Sequence, residues 1–555
     1  MNNCKEWIFP CQSTENTVGD KNRMNTHTCL GIELGSTRIK AVLTDRHHRI
    51  IAQGAYDWEN SLTKEGYWTY ALSDAIAGVQ KAYQQTADEY RSKIGQPLSK
   101  IDAIGISAMM HGYLPFDKNM EQLADFRTWR NTNTKEASEK LTELFSFAIP
   151  QRWSIAHLYQ AILNKEEHVR RIAHLTTLAG YLHYRLTGRQ CVGCGEASGM
   201  FPIDPETVDG HHVYDRTMAA KFNDILNKEG LPYQIEDILP QILDAGEDAG
   251  SLTPDGALLL DPTGTLRAGS LLCPCEGDAG TGMCATDSVL PRTGNVSAGT
   301  SIFAMIVLEK PLSRPYAEVD MVTTPDGKPT AMVHCNTCTS DLDAWIRLFG
   351  EFSEKAGLSL SKADLYKLFY QQALSGAKDG GGLLSYNYYA GEPVTGIESG
   401  SPLMMRRPDA VLDLPNFCRS LLYSAVSTLA IGMKRLSKNE GIKVDTLMCH
   451  GGLFKQPLVG QQMVASALRV QTAVMETAGE GGPWGMALLA SYRLQKDRFS
   501  SLAEYLAKDV FADAKTTRTD PDPAEADGFD RYLDEYQKGL AAEKAAAEVF
   551  RAEKE

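Results

Sequence analysis

The chain has 555 residues, of which 43% are hydrophobic and 23% charged, and its formal net charge is -14. That length exceeds the ~250 to 300 residues at which one hydrophobic core stops growing, so two or more domains are expected. The acidic balance disfavours a nucleic-acid partner, which needs clustered Lys and Arg, and no apolar run reaches the ~18 to 20 residues of a membrane span.

Residues 1–28 lack the charged start, apolar stretch and cleavage site of a secretory signal. They hold Cys4, Pro10 and Cys11 in a polar context and read as a disordered extension, with Met24 standing immediately before the first strand. The other cysteines lie mostly in apolar or Gly-rich segments of a chain without an export signal, which points to reduced thiols in the cytoplasm. Cys191 with Cys194 and Cys335 with Cys338 share the C-x2-C spacing of zinc knuckles. Zinc usually takes four ligands, so these pairs read as small core-filling residues.

The runs TCLGIEL, RIKAVLTD and IIAQGAYDW, separated by GST and RHHR, read as three consecutive antiparallel strands. Leu72, Ile76, Val79, Tyr83 and Tyr90 recur at helical spacing, and IDAIGISAM returns to a buried strand. A mostly helical stretch follows, including HLYQAILNKEEHVRRI and LAGYLHYRLTG, until the chain becomes strand-like near LLCPCEGDAG.

The opening segment LGIELGSTRIKAVL has a counterpart in NVSAGTSIFAMIVL, with Gly35-Ser36-Thr37 matching Gly299-Thr300-Ser301. So long a period implies two related domains with a ligand cleft between them. The second half then runs through the helical LLYSAVSTLAIGMKRL, the strand DTLMCHGG, the helix QPLVGQQMVASALR, the strand TAVME and the helix GMALLASYRLQ. The boundary is placed at residue 291, giving units 29–291 and 292–500. Residues 501–555 are left as an acidic linker and an amphipathic helical tail without chemistry.

A Gly-Ser-Thr turn between strands can turn amides and hydroxyls toward phosphate oxygens. One such turn is commonplace, whereas two at corresponding places suggest a pair of phosphate-gripping hairpins. In EGDAGTGMCATD, Asp278 follows Gly277 at the end of an apolar run and opens a small-residue helix. It is placed either to cap that helix or to face the cleft as a base. In CHGGLFKQP, Gly451 and Gly452 follow a strand and open a helix, a shape that can seat an adenine ring. Gly479, Gly481, Gly482 and Gly485 precede an Ala-rich helix and let it approach a neighbour closely.

In this order the segments resemble the FGGY carbohydrate kinases, over roughly residues 29 to 500. The resemblance implies an α/β fold of two duplicated ribonuclease-H-like, actin-like ATPase domains with an interdomain cleft. It implies a phosphotransferase using ATP and Mg2+ on a small sugar. GIELGSTRIKAVLTD is similar to the first phosphate motif, which implies ATP contacts at Gly35, Ser36, Thr37 and Lys40. Glu33 stands there in place of the usual Asp and would hold the metal with Asp278, through water. GDAGTG resembles the catalytic segment and makes Asp278 the implied base. SAGTS resembles the second phosphate motif, with Gly299, Thr300 and Ser301. HGGLFKQP resembles the adenosine motif, with Gly451, Gly452 and Lys455.

MMHGYLPFD is similar to the Met-His-Gly segment of the xylulose kinase branch, so Met110, His111 and Gly112 would lie by the sugar with Asp278. That branch usually continues Trp-x-Asp-x-Arg. Here TWRNTNT keeps Trp129, offers Asn131 or Asn133 for the acid, and has Thr134 near the expected Arg. Trp129 and Asn131 are retained as sugar contacts because Asn both donates and accepts. The substrate implied is a ketopentose, xylulose or L-ribulose, phosphorylated on its terminal hydroxyl. A glycerol or longer-ketose kinase, and a nucleotide-dependent sugar sensor without efficient transfer, are the alternatives. No residue pattern determines the oligomeric state, and a homodimer stays open.

Overall fold

The structure, a computed structural model, describes residues 27–455, 459–476 and 481–551. Cys4, Pro10, Cys11, Met24 and Gly479, with the disorder expected before residue 27, lie outside the described residues. Thr28, counted in that extension, is pinned: its amide donates to Asp102 Oδ2 at 2.9 Å.

Strands β1 (Cys29–Leu34), β2 (Arg38–Thr44) and β3 (Ile50–Asp57) pair antiparallel in sequence order, as their short polar turns require. Helix α1 (Leu72–Ile94) then crosses over to β4 (Ala103–Ala108), which joins β1 in parallel with Ile106 beside Ile32. Every residue of β4 is buried, the mark of a strand covered on both faces. Leu271–Leu272 and β5 (Glu276–Gly277) add to the far side of β4, and β5 runs directly into α2 (Asp278–Ala285).

The second sheet repeats this plan. Its hairpin, β6 (Thr293–Ala298) and β7 (Ile302–Val307), is flanked by β8 (Val319–Thr323) and β9 (Pro329–Cys335). Beyond the long helix α3 (Leu414–Glu440), β10 (Thr446–His450) pairs in parallel with β6, as β4 does with β1. Helix α4 (Val459–Leu468) leads to β11 (Gln471–Met475), giving the order β8-β9-β7-β6-β10-β11, with one further strand at the edge. The repeated sequence is therefore a repeated topology.

Beyond residue 480 the two cores do not follow the division at residue 500. Helix α5 (Gly481–Gln495), assigned by sequence to the second unit, packs on β1, β4 and α2, and Trp484, Met486 and Leu488 belong to the first core. A methyl group on Gly31 would fall 1.9 Å from the Pro483 carbonyl oxygen, so helix and strand meet backbone to backbone. The tail is no appendage either. Leu502 and Tyr505 enter the first core. β12 (Thr516–Thr519) is the edge strand beside β11, and α6 (Pro523–Arg551) buries Phe529, Tyr532 and Tyr536 in the second core. All the described cysteines are free and buried, as core-filling residues are.

Candidate active site

The two turns that the repeat singled out are held from behind. In the first, the carbonyls of Gly35, Ser36 and Thr37 accept from Trp58 Nε1 at 2.7 Å, the Tyr70 hydroxyl at 2.5 Å and the Trp58 amide at 3.1 Å. In the second, Gly299 and Thr300 carbonyls accept from the amides of Thr339 and Cys338 at 3.1 and 2.8 Å. A turn whose carbonyls are tied to the scaffold is free to offer amides and hydroxyls to an anion. Gly451, at φ +103°, abuts the end of β6: a methyl group there would lie 2.4 Å from the Ala298 carbonyl oxygen. Gly451 and Gly452 thus stand beside the second turn, and Lys455 is exposed after them.

Asp278 is the first residue of α2, at the end of β5, so the fold turns it toward the loop that follows β4. The Met110 amide donates to its Oδ1 at 3.3 Å. Burial raises its pKa, while the Met110 and Ala279 amides and the Arg152 guanidinium oppose the shift. Glu33 shares this neighbourhood. Burial and the charge of Asp278 raise it to about 7, against Lys40, its cross-strand partner. The first turn of α5 closes over Glu33: a methyl group on Gly482 would fall 1.5 Å from Oε2. Two carboxyls close enough to act on one another's charge are thus present where a base or a pair of hard cation ligands can act.

The segment Met110–Gly112 adjoins Asp278 through the Met110 amide. His111 and Gly112 both have positive φ, +73° and +98°, and strain at a non-glycine residue of this kind collects at binding sites. His111 Nδ1 lies 3.2 Å from the Gly199 carbonyl, which can only accept, so Nδ1 carries the proton and Nε2 is an acceptor. Burial and the Arg152 charge hold the ring's pKa well below its ordinary value, and it is neutral at physiological pH. Gly112 is locked by its amide to the Arg152 carbonyl at 3.1 Å and by the Ser154 hydroxyl, which donates to its carbonyl at 2.6 Å.

Trp129 is 39% exposed and donates from Nε1 to Ser36 Oγ at 3.2 Å, linking the segment expected to touch sugar with the first turn. Asn131 departs from the expectation. Its Oδ1 accepts from the Trp68 amide at 2.8 Å, and its Nδ2 donates to the carbonyls of Trp68 and Thr128 at 2.9 and 3.1 Å. A buried amide spent on three backbone groups clamps the loop and has little left for a hydroxyl. Thr134, at the place of the expected Arg, donates to the Gln151 carbonyl at 2.5 Å.

Sequence reasoning missed Arg152, Glu196 and Glu276. Arg152 pairs with Asp320 on β8, joining the loop before helix Ser154–Leu163 to the second sheet. Burial lowers its pKa to about 10 and Asp278 opposes the shift. No motif signals it, because its partners are distant in sequence. Glu276 lies inside the segment that revealed Asp278. It accepts from the amides of Gly195 and Glu196 at 3.3 and 2.9 Å, and burial raises it to about 8. Glu196 is fully buried, and a methyl group on Gly277 would meet its Oε2 at 2.7 Å.

Comparison with known proteins agrees with this geometry. Residues 28–263 match the N-terminal domain, and residues 294–494 the C-terminal domain, of the FGGY family of carbohydrate kinases. The chain is similar to the xylulose kinase of Haemophilus influenzae, 23% identical over 473 residues, covering 82% of this chain and 89% of that one. Its fold is similar to ligand-bound xylulose kinase from Lactobacillus acidophilus, with a TM-score of 0.75, 18% identity and coverage of 94% and 99%. Gluconate kinase from Lactobacillus acidophilus also has a TM-score of 0.75 and 18% identity, over 95% and 100% of the two chains. With both domain models matched in order, on two sheets of one repeated topology, the chain belongs to the FGGY family of carbohydrate kinases, phosphotransferases of the two-domain, actin-like ATPase fold.

Proposed function

We propose that this carbohydrate kinase transfers the γ-phosphoryl group of ATP to the terminal hydroxyl of a ketopentose such as xylulose or L-ribulose. The observation that carries the reading is the bond from the Met110 amide to Asp278: it sets the carboxylate beside the Met110–Gly112 segment. Asp278 accepts the hydroxyl proton as the oxygen attacks phosphorus, and ADP leaves with the pair of electrons of the broken P–O bond. Neutral His111 accepts a sugar hydroxyl at Nε2. The two turns, at Gly35–Thr37 and Gly299–Ser301, hold phosphate oxygens, and Gly451 and Gly452 seat the base with Lys455 nearby.

Glu33 and Asp278 are hard oxygen donors of the kind Mg2+ takes, so these residues fit the ion and would hold it through water. Bound there it would neutralise charge on the phosphates. Lys40, opposite Glu33, adds a positive charge on the same side. Approach of the two units excludes water, which would otherwise compete as a nucleophile.

A coupled assay of ADP release over ketopentoses, longer ketoses, glycerol, aldoses and gluconate tests this. Gluconate is included because the partly exposed Arg152 guanidinium, paired with Asp320, also bears on Asp278 and His111 and gives an anionic sugar as a second reading. Highest kcat/KM with a ketopentose is expected. Preference for gluconate shifts the assignment to an aldonate, and absence of sugar-stimulated turnover throughout the panel overturns the kinase reading.

A further inference from the structure

The described structure contains a second cluster of ligand-type side chains, behind the base and apart from the phosphate turns. The Cys194 Sγ, a ring nitrogen of His212 and a carboxylate oxygen of Asp244 lie within 4.8 Å of one another. Three separate pieces of chain deliver them: the short helix Cys194–Ala197, the loop before Tyr214, and the turn after strand Gln241–Leu243. His212 Nδ1 lies 2.7 Å from Asp244 Oδ1, and the Asp244 amide donates to Glu247 Oε2 at 2.9 Å, which fixes the turn. From the second unit the β8–β9 turn covers the group. Gly327 lies against the imidazole, where any side chain would meet it at 2.0 Å, and Thr323 Oγ1 is 3.5 Å from Cys194 Sγ.

We infer that Cys194, His212 and Asp244 form a zinc site at the junction of the two units. Thiolate, imidazole and carboxylate together are a donor set suited to Zn2+, and three protein ligands leave the fourth position to water. In a tetrahedral site the ligand atoms stand about 3 to 4 Å apart, so closing from the present spacing takes movements of about an ångström. The surrounding charge points the same way. Asp244, Glu276 and Asp326 bear on Cys194, and Asp244, Asp326 and Glu247 bear on His212. Lys328 is paired with Asp326, and His211 with Glu247. A divalent cation would relieve this crowding of carboxylates and take the Cys194 sulfur as thiolate, its proton passing to solvent. Cys191 takes no part: its sulfur faces His183 Nε2 at 3.4 Å. The C-x2-C spacing therefore contributes one ligand, and the fold supplies the other two.

The test uses untagged full-length protein, stripped of metal and titrated with ZnCl2 against a chromophoric chelator. It is run beside Cys194→Ser and His212→Gln, with circular dichroism and thermal melting of the metal-free forms as folding controls. One zinc per chain is expected, with affinity falling more than about tenfold in each variant, a loss that even outer ligand partners bring. Cobalt loading should give a thiolate-to-cobalt absorption band that Cys194→Ser abolishes. No zinc uptake by the stripped wild type, or wild-type affinity in both variants, would overturn the site. The readout is metal binding without nucleotide or sugar, so it is independent of the kinase assay.

Discussion

The backbone amide of Met110 donates to Oδ1 of Asp278, 168 residues away in sequence, across 3.3 Å. This single bond connects the loop after β4 to the start of α2 and fixes the direction of the carboxylate. Asp278→Asn keeps an acceptor for that amide and removes the base. Sugar phosphorylation should fall by about 10²- to 10⁴-fold, the usual yield of general-base catalysis, with ATP affinity by calorimetry close to wild type. Turnover within a few-fold of wild type would remove Asp278 from the role.

His111 sits at φ +73°, a conformation that Asn tolerates better than most residues. His111→Asn therefore tests the imidazole with little backbone cost. Loss of one buried hydrogen bond, about 1 to 3 kcal/mol, predicts a drop of about 5- to 150-fold in kcat/KM for the sugar. KM for ATP should not move, and an ATP-side effect would place the ring elsewhere.

Asn131 is predicted to matter for stability and not for sugar affinity. Asn131→Ala strands the Trp68 amide and takes one of two donors from each of the Trp68 and Thr128 carbonyls, which keep the Thr128 and Asn131 amides, and an unpaired buried group costs about 1 to 3 kcal/mol. Denaturant unfolding should record that loss while KM for the sugar stays within a few-fold.

Gly31→Ala would drive a methyl group to 1.9 Å from the Pro483 carbonyl oxygen. Because the obstacle is backbone, helix α5 must move off β1, and a destabilisation of more than about 4 kcal/mol is expected. Melting of purified protein checks it. An unchanged midpoint would mean that α5 docks otherwise.

Glu33 and Glu392, raised to about 7, and Glu276, raised to about 8, all hold protons in the folded chain above their ordinary value of 4.5, chiefly through burial. The folded state then binds more protons than the unfolded one, so this stability is fully present below about pH 4.5 and is lost as pH rises through about 7 to 8. Thermal midpoints of the ligand-free protein should decline between pH 5 and 8. Glu392→Gln should flatten the slope, and a rising midpoint over this range would contradict the shifts.

How much was legible in the sequence follows from what each feature depends on. The duplicated hairpins, the later strands β4 and β10 and the acid at position 278 are set by local periodicity, turn residues and motif order, which a linear reading contains. Asn131 was legible as a polar residue at a motif position, but its amide is used up by Trp68 and Thr128, and only the folded loop brings those groups to it. Arg152 and Asp320, or Cys194, His212 and Asp244, carry no shared spacing, so no scan along the chain pairs them.

The sequence by itself determined two related α/β units, the order of their phosphate turns and the candidate base, because each is encoded within a short stretch. Tertiary structure alone decided that α5 closes over Glu33 in the first unit and that α6 completes the second core. It alone decided which polar side chains face the cleft and which are spent on backbone. The reason is physical: backbone contact at Gly31 and Gly482, and the matching of hydrogen-bond groups, exist only once distant segments pack.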